Sequence, residues 1–214
     1  MDDPNSAVDS ERTTTRRIVL SGVGAVGLAS LAGCAGTGGN DNGNGNGNGA
    51  GSESVPDPIS IDEGKVCDNC SMIIGNYLGP AGQSHYEDPT AVEGLGEDRP
   101  AQFCSSLCTY KFTFGHESEP VVSYLTDYST VEYEVDDSAA QTTISRHLEA
   151  DAFGDVTELT MVAGSDVKGA MGGSIVPFSD ADQADEFQSE YGGDSYEHDE
   201  ITQELVSSMM SGGM

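Results

Sequence analysis

The sequence is poor in basic residues. It has 8 Lys and Arg against 37 Asp and Glu, a formal net charge of −29 at pH 7. Binding nucleic acid independently of sequence needs clustered Lys and Arg, so the composition argues against that function. Such an acidic excess is typical either of disorder or of a folded domain with a hydrated surface adapted to strong salt, where ions screen the repulsion. Apolar runs such as "VVSYLTDY" and "ELTMVAGSDV" favour the folded, halophilic interpretation.

The sequence also lacks the common motifs of catalysis. It has no nucleophile elbow, no phosphate-binding glycine loop and no zinc-protease motif. Histidine is scarce, and a surface or capping role is expected for each one rather than a role as metal ligand. A neutral imidazole can nevertheless complete a soft-metal site. The four are His85, His116, His147 and His198. We therefore predict that the chain is not an enzyme.

No long apolar run is present, and the most apolar N-terminal stretch is short. Arg16 and Arg17 are adjacent and precede an uncharged stretch, residues 18–33, that is rich in Val, Leu, Gly and Ala. This stretch is too short and glycine-rich for a spanning helix and has the layout of an export signal of the twin-arginine type. "LAGC" resembles a lipobox, which makes Cys34 the predicted lipidated residue. The alternative is an uncleaved N-terminal anchor, and both place the remainder outside the membrane.

Composition divides the chain into four predicted segments. The signal covers residues 1–34, and a Gly/Asn/Ser tether that buries too little apolar surface to fold covers 35–60. A folded domain covers 61–200. Residues 201–214 are predicted to be a terminal helix or a frayed tail rich in methionine, with Met209, Met210 and Met214 as a weak copper-transfer arm or simply a loose terminus.

Four cysteines remain after Cys34, in two close pairs. Cys67 and Cys70 flank "DN", and Cys104 and Cys108 flank "SSL". Both spacings allow a pair to bind one metal, so a structural zinc site formed by all four thiolates is one hypothesis. A disulfide framework outside the cell is a second. A thiol oxidoreductase that uses Cys67 and Cys70 is a third, weakened by the absence of a βαβ setting.

Met72 favours another interpretation. Thiolate and thioether are soft ligands, and a thioether favours Cu(I) over zinc. Cys70 and Met72 are two residues apart, so an extended segment directs both sulfurs to one face, and a turn can also bring them together. The simpler alternative is that Met72 fills the core of the half-buried segment "MIIGNYL". The Cys-x-Met pattern alone is therefore weak.

The last part of the domain carries a second pattern. Gly172 and Gly173 follow Met171. Because glycine has no side chain, another group can approach the backbone closely at these positions. "SIVPF" predicts a short strand with Pro177 near its edge or end. Ser179 or Asp180 is expected to cap a helix over "ADQADEFQSEY", which "GG" at 192–193 ends. "DSYEHDE" predicts one more strand.

Together these motifs resemble the NosL family of copper-binding lipoproteins that accompany the maturation of nitrous-oxide reductase. The matching pieces are the lipobox and tether, "CDNCSM", the "FC…C" strand-to-helix step at 103–108, and "MGGSIVPFSDADQADEF…YGG". The resemblance covers about residues 60–200. It implies an α+β fold of two small related halves, each with antiparallel strands and a packed helix.

The resemblance also implies a function. By position, Cys70 and Met72 match the family's copper motif and Met171 matches its methionine before glycine, with Cys67, Cys104 and Cys108 as further candidate ligands. Cys104 stands where the family usually has an acidic residue, which leaves zinc open as the alternative metal. We therefore expect a lipid-anchored, outward-facing copper chaperone that carries Cu(I) to nitrous-oxide reductase or its maturation factors.

Overall fold

The computed structural model describes residues 55–96 and 99–211. Arg16, Arg17, Cys34, Met214 and residues 35–54 of the predicted tether lie outside the described residues. Residues 55–60 adopt neither helix nor strand and are hydrogen-bonded to the domain, for example through the hydroxyl of Tyr124, which donates to the carbonyl of Pro56 at 2.7 Å. Within the described ranges, no helix has the length and apolar character needed to cross a membrane.

The first half of the domain is a ββαβ unit. Strands β1 (Gly82–His85) and β2 (Ala101–Phe103) precede helix α1 (Ser106–Gly115), and strand β3 (Val122–Thr126) follows it. The sheet is antiparallel, with β1 at the centre and the later strand β6 (Phe153–Asp155) at one edge, in the order β2-β1-β3-β6. His85 is the last residue of β1.

The second half repeats this plan. Strands β7 (Thr160–Ala163) and β8 (Ile175–Phe178) precede helix α2 (Ala181–Tyr191), and strand β9 (Asp194–Tyr196) completes an antiparallel sheet in the order β8-β7-β9. In both halves the first strand is central and the helix follows the second strand. The prediction of an α+β fold with two related halves is confirmed.

The remaining elements are short. Strands β4 (Val135–Asp136) and β5 (Thr143–Ile144) form a separate two-stranded ribbon. "DSYEHDE" is strand only at its start and continues as a 3-10 turn over His198–Glu200. The segment after it forms helix α3 (Gln203–Ser211), whose Val206 is buried against the core.

Local signals explain α2. Asp180 is its N-cap, and the carboxylate accepts hydrogen bonds from the backbone N–H groups of Asp182 and Gln183. Ala184 and Phe187 are the buried residues of its inner face. Gly192 ends the helix with a φ of 73°, a conformation that glycine adopts without strain. Pro177 lies in β8, an edge strand, where its missing N–H costs no ladder hydrogen bond.

Candidate metal centre

A closed loop carries the first cysteine pair and Met72. Val66 and Ile73 form a β-bridge at its base, and the N–H of Cys67 donates to the carbonyl of Met72 at 2.8 Å. The N–H of Ser71 donates to the carbonyl of Cys67, and Ser71 has a φ of 63°. The segment between Cys67 and Met72 is thus a turn and not an extended strand.

The second pair lies at the step from β2 to α1. Ser105 is the N-cap of α1, and its hydroxyl accepts a hydrogen bond from the N–H of Cys108 at 3.1 Å. Cys108 is in the first turn of the helix, whereas Cys104 precedes the cap. The predicted strand-to-helix step at 103–108 is therefore present, and of its two cysteines only Cys108 lies within the helix.

Sheet pairing brings the two segments together. Gly82 in β1 pairs with Phe103 in β2, so the chain entering β1 and the chain leaving β2 meet at one end of the sheet. The carbonyl of Pro80, just before β1, accepts a hydrogen bond from the N–H of Ser106. Cysteines that are separated by more than thirty residues in the sequence thereby share one site.

All four thiols form one cluster. The sulfurs of Cys67, Cys70, Cys104 and Cys108 lie within 4.8 Å of one another and are not joined as disulfides. The Sγ atoms of Cys70 and Cys104 are 3.5 Å apart, and those of Cys104 and Cys108 are 3.8 Å apart. Three of the side chains are buried, and Cys70 is half-buried, so it is the thiol nearest to solvent.

Two polar side chains inside the Cys-x-x-Cys sequence fix this geometry. Asp68 pairs with Arg99 and also accepts a hydrogen bond from the N–H of Gln102 in β2. The side-chain amide of Asn69 donates to the sulfur of Cys108 at 3.2 Å. A donor aimed at sulfur stabilises its thiolate form and holds it in place. Sequence reasoning did not select Asp68, Asn69 or Arg99, although the first two lie between the motif cysteines.

The thiols perturb one another's acidity. Hydrogen bonds from Cys104 and then Cys108 lower the pKa of Cys67, against the opposing effect of burial. The pKa of Cys104 is raised, first by its hydrogen bonds to Cys108 and Cys67 and then by burial. The cluster therefore accommodates one negative charge readily, and several thiolates only when a cation compensates their repulsion.

Both predicted methionine ligands border the cluster. Met72 and Met171 are half-buried and, like Cys70, pack against the apolar core that contains Cys67, Cys104 and Cys108. Met171 lies in the tight turn between β7 and β8, where Gly169 and Gly172 exchange backbone hydrogen bonds at 3.1 and 3.2 Å. The second half of the domain thus brings Met171 against the core to which three of the cysteines belong. Coordination by Met72 and Met171 stays a prediction.

The histidines have structural contacts elsewhere. Among the described residues, the group of ligand atoms able to share one ion consists of the thiols without any imidazole. His116 caps α1, and its ring nitrogens contact the carbonyls of Phe112 and Glu93. His147 contacts the hydroxyl of Ser145. His198, expected like the others to be a surface or capping residue, is half-buried, with Nδ1 3.1 Å from the hydroxyl of Tyr110.

Comparison with known proteins agrees with this architecture. The NosL family profile matches residues 58–206. The chain belongs to the NosL family. It is 29% identical over 161 residues to the copper-binding lipoprotein NosL of Stutzerimonas stutzeri, covering 74% of each chain. The crystal structure of the copper chaperone NosL from Shewanella denitrificans superposes with a TM-score of 0.54 at 26% identity, covering 68% of this chain and 95% of that one.

The family assignment confirms the resemblance drawn from "CDNCSM" and "MGGSIVPF". The names of these NosL relatives state copper binding and copper chaperoning and no catalysis, in agreement with the expectation that the chain is not an enzyme. Within this NosL-type fold, the thiol cluster has the donors of a soft-metal site: closely spaced, mostly buried sulfurs with one accessible member.

Proposed function

We propose that the chain is a copper chaperone that carries Cu(I) on the extracytoplasmic side of the membrane, tethered there through Cys34. The relatives' names, a copper-binding lipoprotein and a copper chaperone, support this role. The lipobox and the twin arginines support export and anchoring. Replacing Cys34 with Ala is expected to shift the protein from the membrane fraction to the soluble fraction, which fractionation of cells would measure.

The observation that carries the proposal is the sulfur environment. The thiols of Cys67, Cys70, Cys104 and Cys108 lie within 4.8 Å of one another, and the half-buried thioethers of Met72 and Met171 border the same core. We propose Cys70 and Met72 as the principal ligands, with Met171 and the other thiols as further ligands. Because Cu(I) accepts few, soft ligands, an ion held next to accessible Cys70 can exchange one ligand at a time with an acceptor.

The proposed acceptor is nitrous-oxide reductase or one of its maturation factors. This part rests on the role of the family, in which the copper protein accompanies assembly of that enzyme. The predicted lipid anchor and long Gly/Asn/Ser segment are suited to it, because a tethered carrier reaches an acceptor near the same membrane. Transfer of copper from the loaded chain to the copper-free reductase, followed by recovery of reductase activity, tests this step.

The direct test of the site is a Cu(I) titration of the reduced full-length protein against a chromophoric chelator. We expect tight binding by the wild type, a large loss of affinity in Cys70→Ser, and a smaller loss in Met72→Leu, which keeps the volume but removes the sulfur. Ser71→Ala, which changes a solvent-exposed side chain between them, is the matched control. Unchanged Cu(I) affinity in Cys70→Ser would refute the proposed site.

A four-thiolate zinc site is the second candidate. The sulfur separations of 3.5 and 3.8 Å favour it, because sulfurs at about 2.3 Å from a tetrahedral zinc ion are roughly 3.8 Å apart. The two candidates differ in their response to Met72→Leu, which leaves a four-thiolate zinc site unaffected. Metal analysis of the purified protein, with a test of whether Cu(I) displaces bound zinc, decides between them.

A further inference from the structure

The C-terminal helix places two methionines beside the turn that carries Met171. A Cβ atom at Gly173 would lie 3.2 Å from the carbonyl oxygen of Met209 and 3.4 Å from its Cε, so the helix contacts the backbone directly at this glycine. Met171, Met209 and Met210 all pack against one apolar cluster, while Met171 also packs against the core that contains the cysteines. Met171 is therefore shared between the apolar cluster of the C-terminal methionines and the core that contains Cys67, Cys104 and Cys108.

The exposure of these side chains distinguishes them from core filling. Met161 belongs to the same apolar cluster and is 0% exposed, as expected of a methionine that only fills space. Met171, Met209 and Met210 are each half-buried, so part of every side chain is open to solvent. These three residues are therefore partly accessible to a metal ion, whereas Met161 is not.

The geometry points to a second Cu(I) site, made of the thioethers of Met171, Met209 and Met210, beside the thiol cluster. This inference rests on the proposed function in taking Cu(I) as the cargo. Neutral thioethers are soft and bind Cu(I) in preference to zinc, calcium or magnesium. They carry no charge, so they hold the ion less strongly than thiolates do, and the site is suited to receiving copper.

Because Met171 packs against both apolar clusters, it is positioned to pass the ion between the two groups of ligands. Copper stays Cu(I) throughout, so no electron is exchanged. The bonds from Cu(I) to the thioether sulfurs of Met209 and Met210 break as bonds to cysteine sulfurs form. Each thiol that becomes a ligand releases its proton to water. The transfer runs from the weaker neutral ligands to the stronger anionic ones.

The test is NMR of the full-length reduced protein labelled with ¹³C in its methionine methyl groups, titrated with Cu(I) in the absence of oxygen. Absorption of the Cu(I)–thiolate bond in the ultraviolet reports the cysteines separately. We expect the Met209 and Met210 methyl signals to shift after the thiolate absorption has saturated, while the signal of Met161 stays in place. Met209→Leu/Met210→Leu retains the packing volume and is expected to lose this later binding while keeping the thiolate absorption.

The two readouts separate failure of this inference from failure of the proposed function. Saturating thiolate absorption with unmoved Met209 and Met210 methyl signals would overturn the thioether site and leave the thiolate site standing. An equal shift of Met161 would also overturn it, because the change would then be a general rearrangement. Absent thiolate absorption with shifted Met209 and Met210 signals would refute the cysteine site of the proposed function and leave thioether binding standing.

Discussion

Asp68 and Arg99 form a two-point ion pair, with 2.8 Å between Arg99 Nη1 and Asp68 Oδ2 and 2.8 Å between Nη2 and Oδ1. The pair joins the loop of the first two cysteines to the chain just before β2. Because Asp68 also accepts from the N–H of Gln102, a single carboxylate fixes the position of the loop relative to Cys104. The thiol cluster thus depends on a residue that does not itself bind metal.

Replacing Arg99 with Ala is expected to lower the free energy of unfolding by about 2 kcal/mol, because Asp68 is left largely buried without its ionic partner. Urea denaturation of the metal-free protein measures this change. Glu63→Gln is the control, since the Glu63 side chain is 78% exposed in its ion pair with Arg146 and we expect a change below about 0.5 kcal/mol. Equal effects of the two substitutions would contradict a special role for Asp68 and Arg99.

Asn69 is expected to tune the metal affinity through its hydrogen bond to Cys108. Asn69→Ala removes a donor that stabilises the thiolate, and we expect a loss of Cu(I) affinity of about tenfold to about hundredfold. Competition with a Cu(I) chelator measures the change. Asn76→Ala alters an exposed amide outside the cluster and should leave the affinity unchanged. Equal affinity of wild type and Asn69→Ala would show that the contact does not support the site.

Cu(I) binding is expected to weaken as the pH falls from about 8 to about 6. The pKa of Cys104 is raised by hydrogen bonds to Cys108 and Cys67 and by burial, so this thiol is protonated at neutral pH and must release its proton to bind. The pKa of Cys67 is lowered by hydrogen bonds from Cys104 and Cys108, so Cys67 contributes less to this pH dependence than Cys104 does. Affinity should fall by about tenfold per pH unit for each proton released.

Chelator competition at several pH values tests this dependence, with the chelator's own affinity measured at each pH. Met72→Leu is a useful companion, because a thioether does not titrate and the variant should keep the same slope at lower affinity. A flat profile in the wild type would mean that the cluster binds without releasing protons and would contradict the assignment of Cys104 as a ligand.

Gly82 is expected to tolerate no side chain. A Cβ atom there would overlap the hydroxyl of Thr109 in α1 and lie 2.7 Å from Leu125 Cδ2, so α1 packs directly on β1 at this point. Gly82→Ala should lower the free energy of unfolding by about 1–3 kcal/mol. Gly115→Ala, at the end of α1 with nothing within 4 Å, should be neutral or slightly stabilising. Thermal unfolding of both variants makes the comparison, and equal melting temperatures would contradict it.

The predicted salt adaptation is open to measurement as well. With 37 acidic and 8 basic side chains, repulsion should destabilise the fold in dilute buffer, and added KCl should raise the free energy of unfolding by screening it. Urea denaturation at increasing KCl concentrations would follow this effect, with sucrose as an uncharged comparison. If the free energy of unfolding rises with sucrose but not with KCl, repulsion between the acidic side chains does not destabilise the fold.

Local signals made much of the fold predictable. The cap at Asp180, the apolar spacing of Ala184 and Phe187 and the following glycine pair together define α2, because these contacts all lie within one helix. The paired cysteines likewise indicated a shared site. Contacts between residues that are distant in the sequence could not be predicted in this way. Arg99 has no local signature, and its role depends on the loop that reaches it.

The same reasoning explains the case of His198. Its acidic neighbours Glu197 and Asp199 suggest a solvated side chain, but its burial depends on Tyr110, 88 residues earlier in α1. The sequence around Met209 and Met210 was likewise compatible with either a terminal helix or a frayed tail. Their position depends on the close approach of α3 to Gly173. The sequence of residues 201–214 alone does not predict this contact.

The repeated ββαβ plan is consistent with an origin by duplication. Phe103 ends β2 and Phe178 ends β8, and each is followed after two residues by a helix whose cap is Ser105 in one half and Asp180 in the other. Duplication and fusion of one ancestral unit would produce this pairing. With such an origin, the two copies would differ at the step into the helix, where the first has the sulfur of Cys104 and the second has the hydroxyl of Ser179, while Met171 of the second packs against the core of the first.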